Sequence, residues 1–98
     1  MVSGVLLVLF DIPSEEKGVY RSFIKHLKVE GYQIMQKSIY YKVIRNIRLA
    51  EYNIKQMQKF KKDGCNIKAI VMTTSQFERI NIISGEELSL NLDTVIII

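Results

Sequence analysis

The chain has 98 residues, 48 % of them hydrophobic and 24 % charged. That length supports one domain with a single small core, burying roughly 60–65 % of the unfolded surface, and that composition excludes a disordered chain. The formal charge of +4 hides a segregation: from Lys17 to Lys62 twelve basic residues stand against two acids, a balance of +10, while the rest of the chain carries −6.

The elements follow in chain order. Val5–Phe10 is apolar without alternation, which predicts a strand buried on both faces. It ends in Asp11, two residues before the only proline. Asp11 either caps the next element or marks a site. Ser14 before Glu15 and Glu16 predicts a helix start, with a serine cap and acids in the first turn. Val19, Tyr20, Phe23, Ile24 and Leu27 then form an apolar stripe of helical period, with Lys17, Arg21, Lys25 and Lys28 at other angles. Gly31 ends the helix.

Two alternating runs, Tyr32–Lys37 and Ile39–Ile44, predict a pair of strands with no Asn-Gly or Asp-Gly turn between them. Asn46 predicts the cap of a second helix carrying Ile47, Ala50, Ile54 and Met57 on one side. Lys55, Lys59, Lys61 and Lys62 gather toward its C-terminus, and Asp63-Gly64 closes it. Ile67–Met72 is a fourth strand. Thr74–Arg79 reads as a short turn, Ile80–Ile83 and Val95–Ile98 as small strands, and Gly85–Asp93 as a loop.

The order β-α-β-β-α-β predicts an α+β fold of ferredoxin-like type: an antiparallel sheet with both helices on one face. Residues 1–98 form one domain, with a core over 1–78 and a C-terminal extension over 79–98. Two helices cover only one sheet face, yet the first strand offers apolar residues to both. A second copy packed face to face in a homodimer would cover the other, and the extension strand could pair with a sheet edge.

Cys65 is the lone cysteine and His26 the lone histidine. Together they exclude an internal disulfide and a cysteine metal cluster, and they leave a nucleophilic cysteine without an evident base. Val5–Phe10 is shorter than a signal h-region, no basic segment precedes it, and no stretch approaches the roughly 18 apolar residues of a membrane span. A cytoplasmic location without a membrane partner is expected.

The stretch FDIPSEEKGVYRSFIKHLKVEGYQIMQKSIYYK, through Asp11, Pro13, Tyr20-Arg21, Phe23, Gly31, Gln36–Tyr40 and Lys42, resembles the CRISPR-associated protein 2 family, the small adaptation subunit of CRISPR systems. The run TTSQFERINIISGEE resembles the forms found beside single-protein (type II) effectors. The resemblance covers roughly residues 5–87. It implies a homodimer that sits between integrase dimers during spacer acquisition and lies along duplex DNA. Many members are also described as metal-dependent endonucleases acting on single-stranded RNA or double-stranded DNA. In that description Asp11 is the catalytic residue and binds Mg2+ shared across the dimer axis.

The residues themselves favour a scaffold. Metal-assisted phosphodiester cleavage draws on several carboxylates, and Asp11 has only Glu15 and Glu16 nearby, which a helix start explains. Its alternative role is a capping or turn aspartate. Lys25, Lys28, Lys37, Lys42, Arg45 and Arg48 are the expected nucleic-acid contacts, since Lys and Arg bind phosphates without reading sequence. Arg21 could reach a phosphate, pair with Asp11, or simply solvate the helix. Glu78, Glu86, Glu87 and Asp93 suit a protein partner, expected to be the integrase. The rivals are a magnesium endonuclease centred on Asp11 and a toxin-like endoribonuclease of the same fold.

Overall fold

A computed structural model describes residues 4–86 and Leu88. The element order is β1 (Gly4–Asp11), α1 (Lys17–Val29), β2 (Gln33–Gln36), β3 (Ile39–Ile44), α2 (Ile47–Gln56) with a 3-10 turn over Met57–Phe60, β4 (Asn66–Met72) and α3 (Thr74–Glu78). The four strands form one antiparallel sheet in the order β2-β3-β1-β4, as the ferredoxin-like reading requires. Among the described residues no helix is long and apolar enough to cross a membrane.

The unbroken apolar run of β1 follows from its place. Paired on both edges, it presents alternate residues to two different layers. Leu6, Val8 and Phe10 face α1 and α2, where they join Phe23, Leu27, Tyr40, Ile44, Ala50 and Met57. Phe10 and Phe60 each meet the Phe23 ring edge-on at 5.1 Å, which fixes α1 against the sheet. Phe23 is fully buried, and such burial stabilises by about 1.5–3 kcal/mol.

The odd residues of β1 face the other way, and here the structure differs from the sequence reading. Val5 and Leu7 pack with Tyr41 and Phe77, and Phe77 belongs to α3, not to a second copy. Residues Thr74–Glu78 are a helix where the sequence predicts a short turn over Thr74–Arg79. Its cause is local: Thr73 accepts from the Gln76 amide at 3.0 Å while the Gln76 side chain accepts from the Thr73 amide at 2.9 Å. That reciprocal pair is a capping box. The chain thus covers part of its own second face. Leu9, 37 % exposed, and Ile70, 51 % exposed, remain uncovered on it. Ile80–Ile83 forms no strand, and Ile83 is 95 % exposed. Val95–Ile98 lies outside the described residues.

The start of α1 also differs from the sequence reading. Ser14 does not cap it. The Glu16 amide donates to the Pro13 carbonyl at 2.9 Å, closing a turn, and the helix begins at Lys17 with no side-chain cap. Glu16 instead pairs with Lys62, 2.7 Å away on the segment after α2. Asn46 does cap α2, accepting from the Leu49 amide at 2.9 Å. Gly31 and Gly64 end α1 and the α2 region at a φ of 88°, the left-handed conformation that favours glycine there.

Candidate functional site

Asp11 opens onto a cleft of about 500 Å³ built by three elements. The end of β1 supplies Asp11, held in register opposite Asn66 of β4. The β2–β3 turn supplies Lys37 and Ser38, drawn in because the Phe10 amide donates to the Ser38 carbonyl at 3.0 Å. The first two turns of α1 supply Lys17, Tyr20 and Arg21; Lys17 and Arg21 are four residues apart and share a face.

The cleft therefore gathers Asp11, Arg21 and Lys37 from the residues expected to act, and adds Lys17, Tyr20 and Ser38. The signal for Lys17 was its spacing to Arg21. Nothing in the sequence placed the β2–β3 turn beside β1. None of the three cations is paired with Asp11 among the described residues.

One carboxylate among three cations is a poor donor set for magnesium, which needs oxygen ligands in octahedral order and a site that does not repel a dication. Glu15 and Glu16 precede α1 outside the cleft lining. Among the described residues no group of three or more His, Cys, Asp or Glu could hold a metal ion. Within a single chain, the described residues at this cleft do not fit Mg2+.

The cations outside the cleft are arranged by α1. At about 100° per residue, Lys17, Arg21, Lys25 and Lys28 fall within an arc of about 80° and span about 16 Å along the axis. All four are exposed. Arg45 and Arg48 are also exposed, at the entry to and in the first turn of α2.

Lys42 is different. It lies half-buried between the sheet and α2, donating to Asn53 Oδ1 at 3.0 Å, with its ammonium 5.4 Å from the centre of the Tyr32 ring. Burial pulls its pKa below the ordinary lysine value, against the opposing charge of Glu30. Asn53 is buried and also donates to the Leu49 carbonyl, so the lysine sits in a built polar contact. The alternation of β3 carried this signal: Lys42 shares its face with Tyr40 and Ile44, both in the core.

His26 packs against Phe60 with ring centres 5.2 Å apart. Its buried Nε2 has no partner among the described residues. Burial, and then the charge of Lys59, hold its pKa below the ordinary 6.5. It does not line the Asp11 cleft. The buried hydroxyl of Tyr32 likewise has no partner among the described residues, and desolvation raises its pKa.

Of the acidic residues expected to meet a partner, Glu78 and Glu86 are exposed on the C-terminal side, while Glu87 and Asp93 lie outside the described residues. No curated protein matches the chain. A family model does: residues 4–80 match the one described as CRISPR associated protein Cas2.

Proposed function

The chain belongs to the CRISPR associated protein Cas2 family, whose work relates to CRISPR adaptation, and from that premise we propose that it is a homodimeric scaffold that binds duplex DNA and bridges integrase units. Its contribution is spacing and positive charge, with no bond-making of its own. The observation that carries the reading is the exposed row Lys17, Arg21, Lys25 and Lys28 on one face of α1. Duplex DNA carries about one charge per 1.7 Å of axis, so a row about 16 Å long faces phosphates along its whole length. Lys37, Arg45 and Arg48 extend the positive surface, and Lys42, anchored inside, acts by supporting the strand that carries it.

Leu9 and Ile70, exposed on the sheet face that α3 leaves open, support pairing with a second copy there. Glu78 and Glu86, with Glu87 and Asp93 beyond, are the proposed seat of the integrase. Single-stranded RNA meets the same α1 row through its phosphates.

The test is a salt titration with a blunt duplex. Each phosphate neutralised contributes about −0.9 to the slope of log affinity against log salt. Replacing Lys25 and Lys28 by alanine should make the slope shallower by about 1.8 and weaken binding to all sequences alike. A slope unchanged by the double substitution refutes the assignment. Asp11→Ala, assayed with the integrase, should leave spacer integration intact. Joint loss of integration and of magnesium-dependent cleavage would support the endonuclease instead, with Mg2+ held between Asp11 and its counterpart in a second copy.

A further inference from the structure

The cleft at the end of β1 holds more positive charge than a metal site should. Lys17, Arg21 and Lys37 line it beside a single acid, Asp11. We propose that this cleft binds a nucleotide unit, a phosphate with its attached base, without a metal ion.

Four features carry the inference. The cavity, about 500 Å³, falls within the roughly 300–1,000 Å³ typical of small-molecule sites. The cations come from two directions, Lys17 and Arg21 from α1 and Lys37 from the β2–β3 turn, so an anion between them is held from both sides. The Arg21 guanidinium presents a planar fork suited to two phosphate oxygens. Tyr20, a residue 38 % exposed, lines the same cleft, and its ring is a surface on which any base can stack. The hydroxyls of Ser14 and Ser38 add neutral hydrogen-bonding groups to the lining.

Asp11 then has a defined electrostatic role. Its carboxylate repels a phosphate and confines it to the α1 and Lys37 side. Removing that charge should tighten binding, by about threefold for charges about 6 Å apart in water. A magnesium site makes the opposite demand, because there Asp11 is the ligand.

The cleft shares Lys17, Arg21 and Lys37 with the positive surface of the duplex reading, but Lys25 and Lys28, which carry the duplex test, do not line it. Two sources share the chemistry: a free nucleotide and the phosphorylated end of a strand. The experiment measures binding of AMP, adenosine, and a short single strand with and without a 5′-phosphate to the full chain, by calorimetry in EDTA. AMP should bind in EDTA, and adenosine at least tenfold more weakly. Arg21→Ala and Lys37→Ala should each weaken AMP about tenfold, the loss of one charge-assisted contact. Arg21→Lys should recover only part of that loss, because it restores the charge without the fork. Arg21 and Lys37 are both exposed, so these variants keep the core intact.

Asp11→Asn should bind AMP more tightly. AMP binding as tight as that of the phosphorylated strand identifies a free nucleotide; preference for the phosphorylated strand identifies a strand end. Either result supports the site. Absence of AMP binding, a requirement for Mg2+, or loss of binding in Asp11→Asn overturns it. Because Lys25→Ala/Lys28→Ala leaves the cleft untouched, AMP binding that is unchanged in that variant while duplex binding weakens separates the two readings.

Discussion

Replacing Phe77 by alanine tests whether the second sheet face is covered from within the chain. Phe77 is fully buried, its ring 4.9 Å from that of Tyr41, and it closes a cluster with Val5 and Leu7. A buried Phe→Ala change costs about 3–5 kcal/mol through lost transfer energy and the cavity left behind. A domain of this size is stable by about 5–15 kcal/mol in total, so the loss is a large fraction. At about 4–8 °C per kcal/mol, the melting midpoint should fall by more than about 12 °C.

The assay is thermal and urea denaturation followed by circular dichroism, with Ile83→Ala as the control. Ile83 is 95 % exposed, and its truncation should stay within about 0.5 kcal/mol. The Phe77→Ala loss should be the same at every protein concentration, because the contact lies within one chain. A loss below about 1 kcal/mol, or one that vanishes as the protein is concentrated, refutes the docking of α3 on β1 and returns that face to a partner.

His26 makes stability depend on pH. Its folded pKa lies below 6.5 through burial and then the charge of Lys59, with Lys42 adding to the depression and Glu30 opposing it. The unfolded chain takes up the proton first, so stability is level above pH 6.5 and falls as pH drops below it. Urea midpoints between pH 7.5 and 5.5 should decline for the wild type and flatten for His26→Leu; an equal decline in both rejects the role of His26. Asn53→Ala removes the acceptor of the half-buried Lys42 ammonium. A hydrogen bond to a charged group contributes about 1.5–3 kcal/mol, so the midpoint should fall by about 6 °C or more, and Asn53→Ala/Lys42→Met should recover part of it. A fully additive double variant shows that the two side chains do not interact.

The framework was legible wherever local pattern and tertiary environment agreed. The unbroken run Val5–Phe10 implies two-sided burial, and β1 has it except at Leu9, which stays 37 % exposed. The alternation over Ile39–Ile44 gave β3 its observed bounds, and Asn46 caps α2 as its side chain suggests. Ser14-Glu15-Glu16 carries every local sign of a helix cap, yet α1 begins at Lys17 without one. The Pro13–Glu16 turn and the distant Lys62 draw Glu16 elsewhere. Helix α3 reads as a turn although Thr73 and Gln76 have capping-box spacing, because five residues are too few to show a period. At the site, Asp11 was found by its position. Its neighbours Lys37 and Ser38 are more than 25 residues away in sequence and arrive only through the register of β1 with β3. The charge of Lys42 points to the surface, although the alternation of β3 puts it on the core face.

The sheet order has a consequence for how the chain is made. β1 is synthesised before the other three strands of the sheet, yet it lies between β3 and β4, and β4 ends at Met72. At about 5–20 residues per second, the 28 residues from Ile44 to Met72 take about 1–6 s to emerge, and through that interval one edge of β1 has no partner. The segment left open is uncharged, free of proline and rich in Leu and Val from Val5 to Phe10, the composition that pairs readily between chains. The yield of folded protein should therefore depend on translation rate and temperature more than its final stability would suggest, with Asp11 acting as a charged guard at the end of the exposed strand.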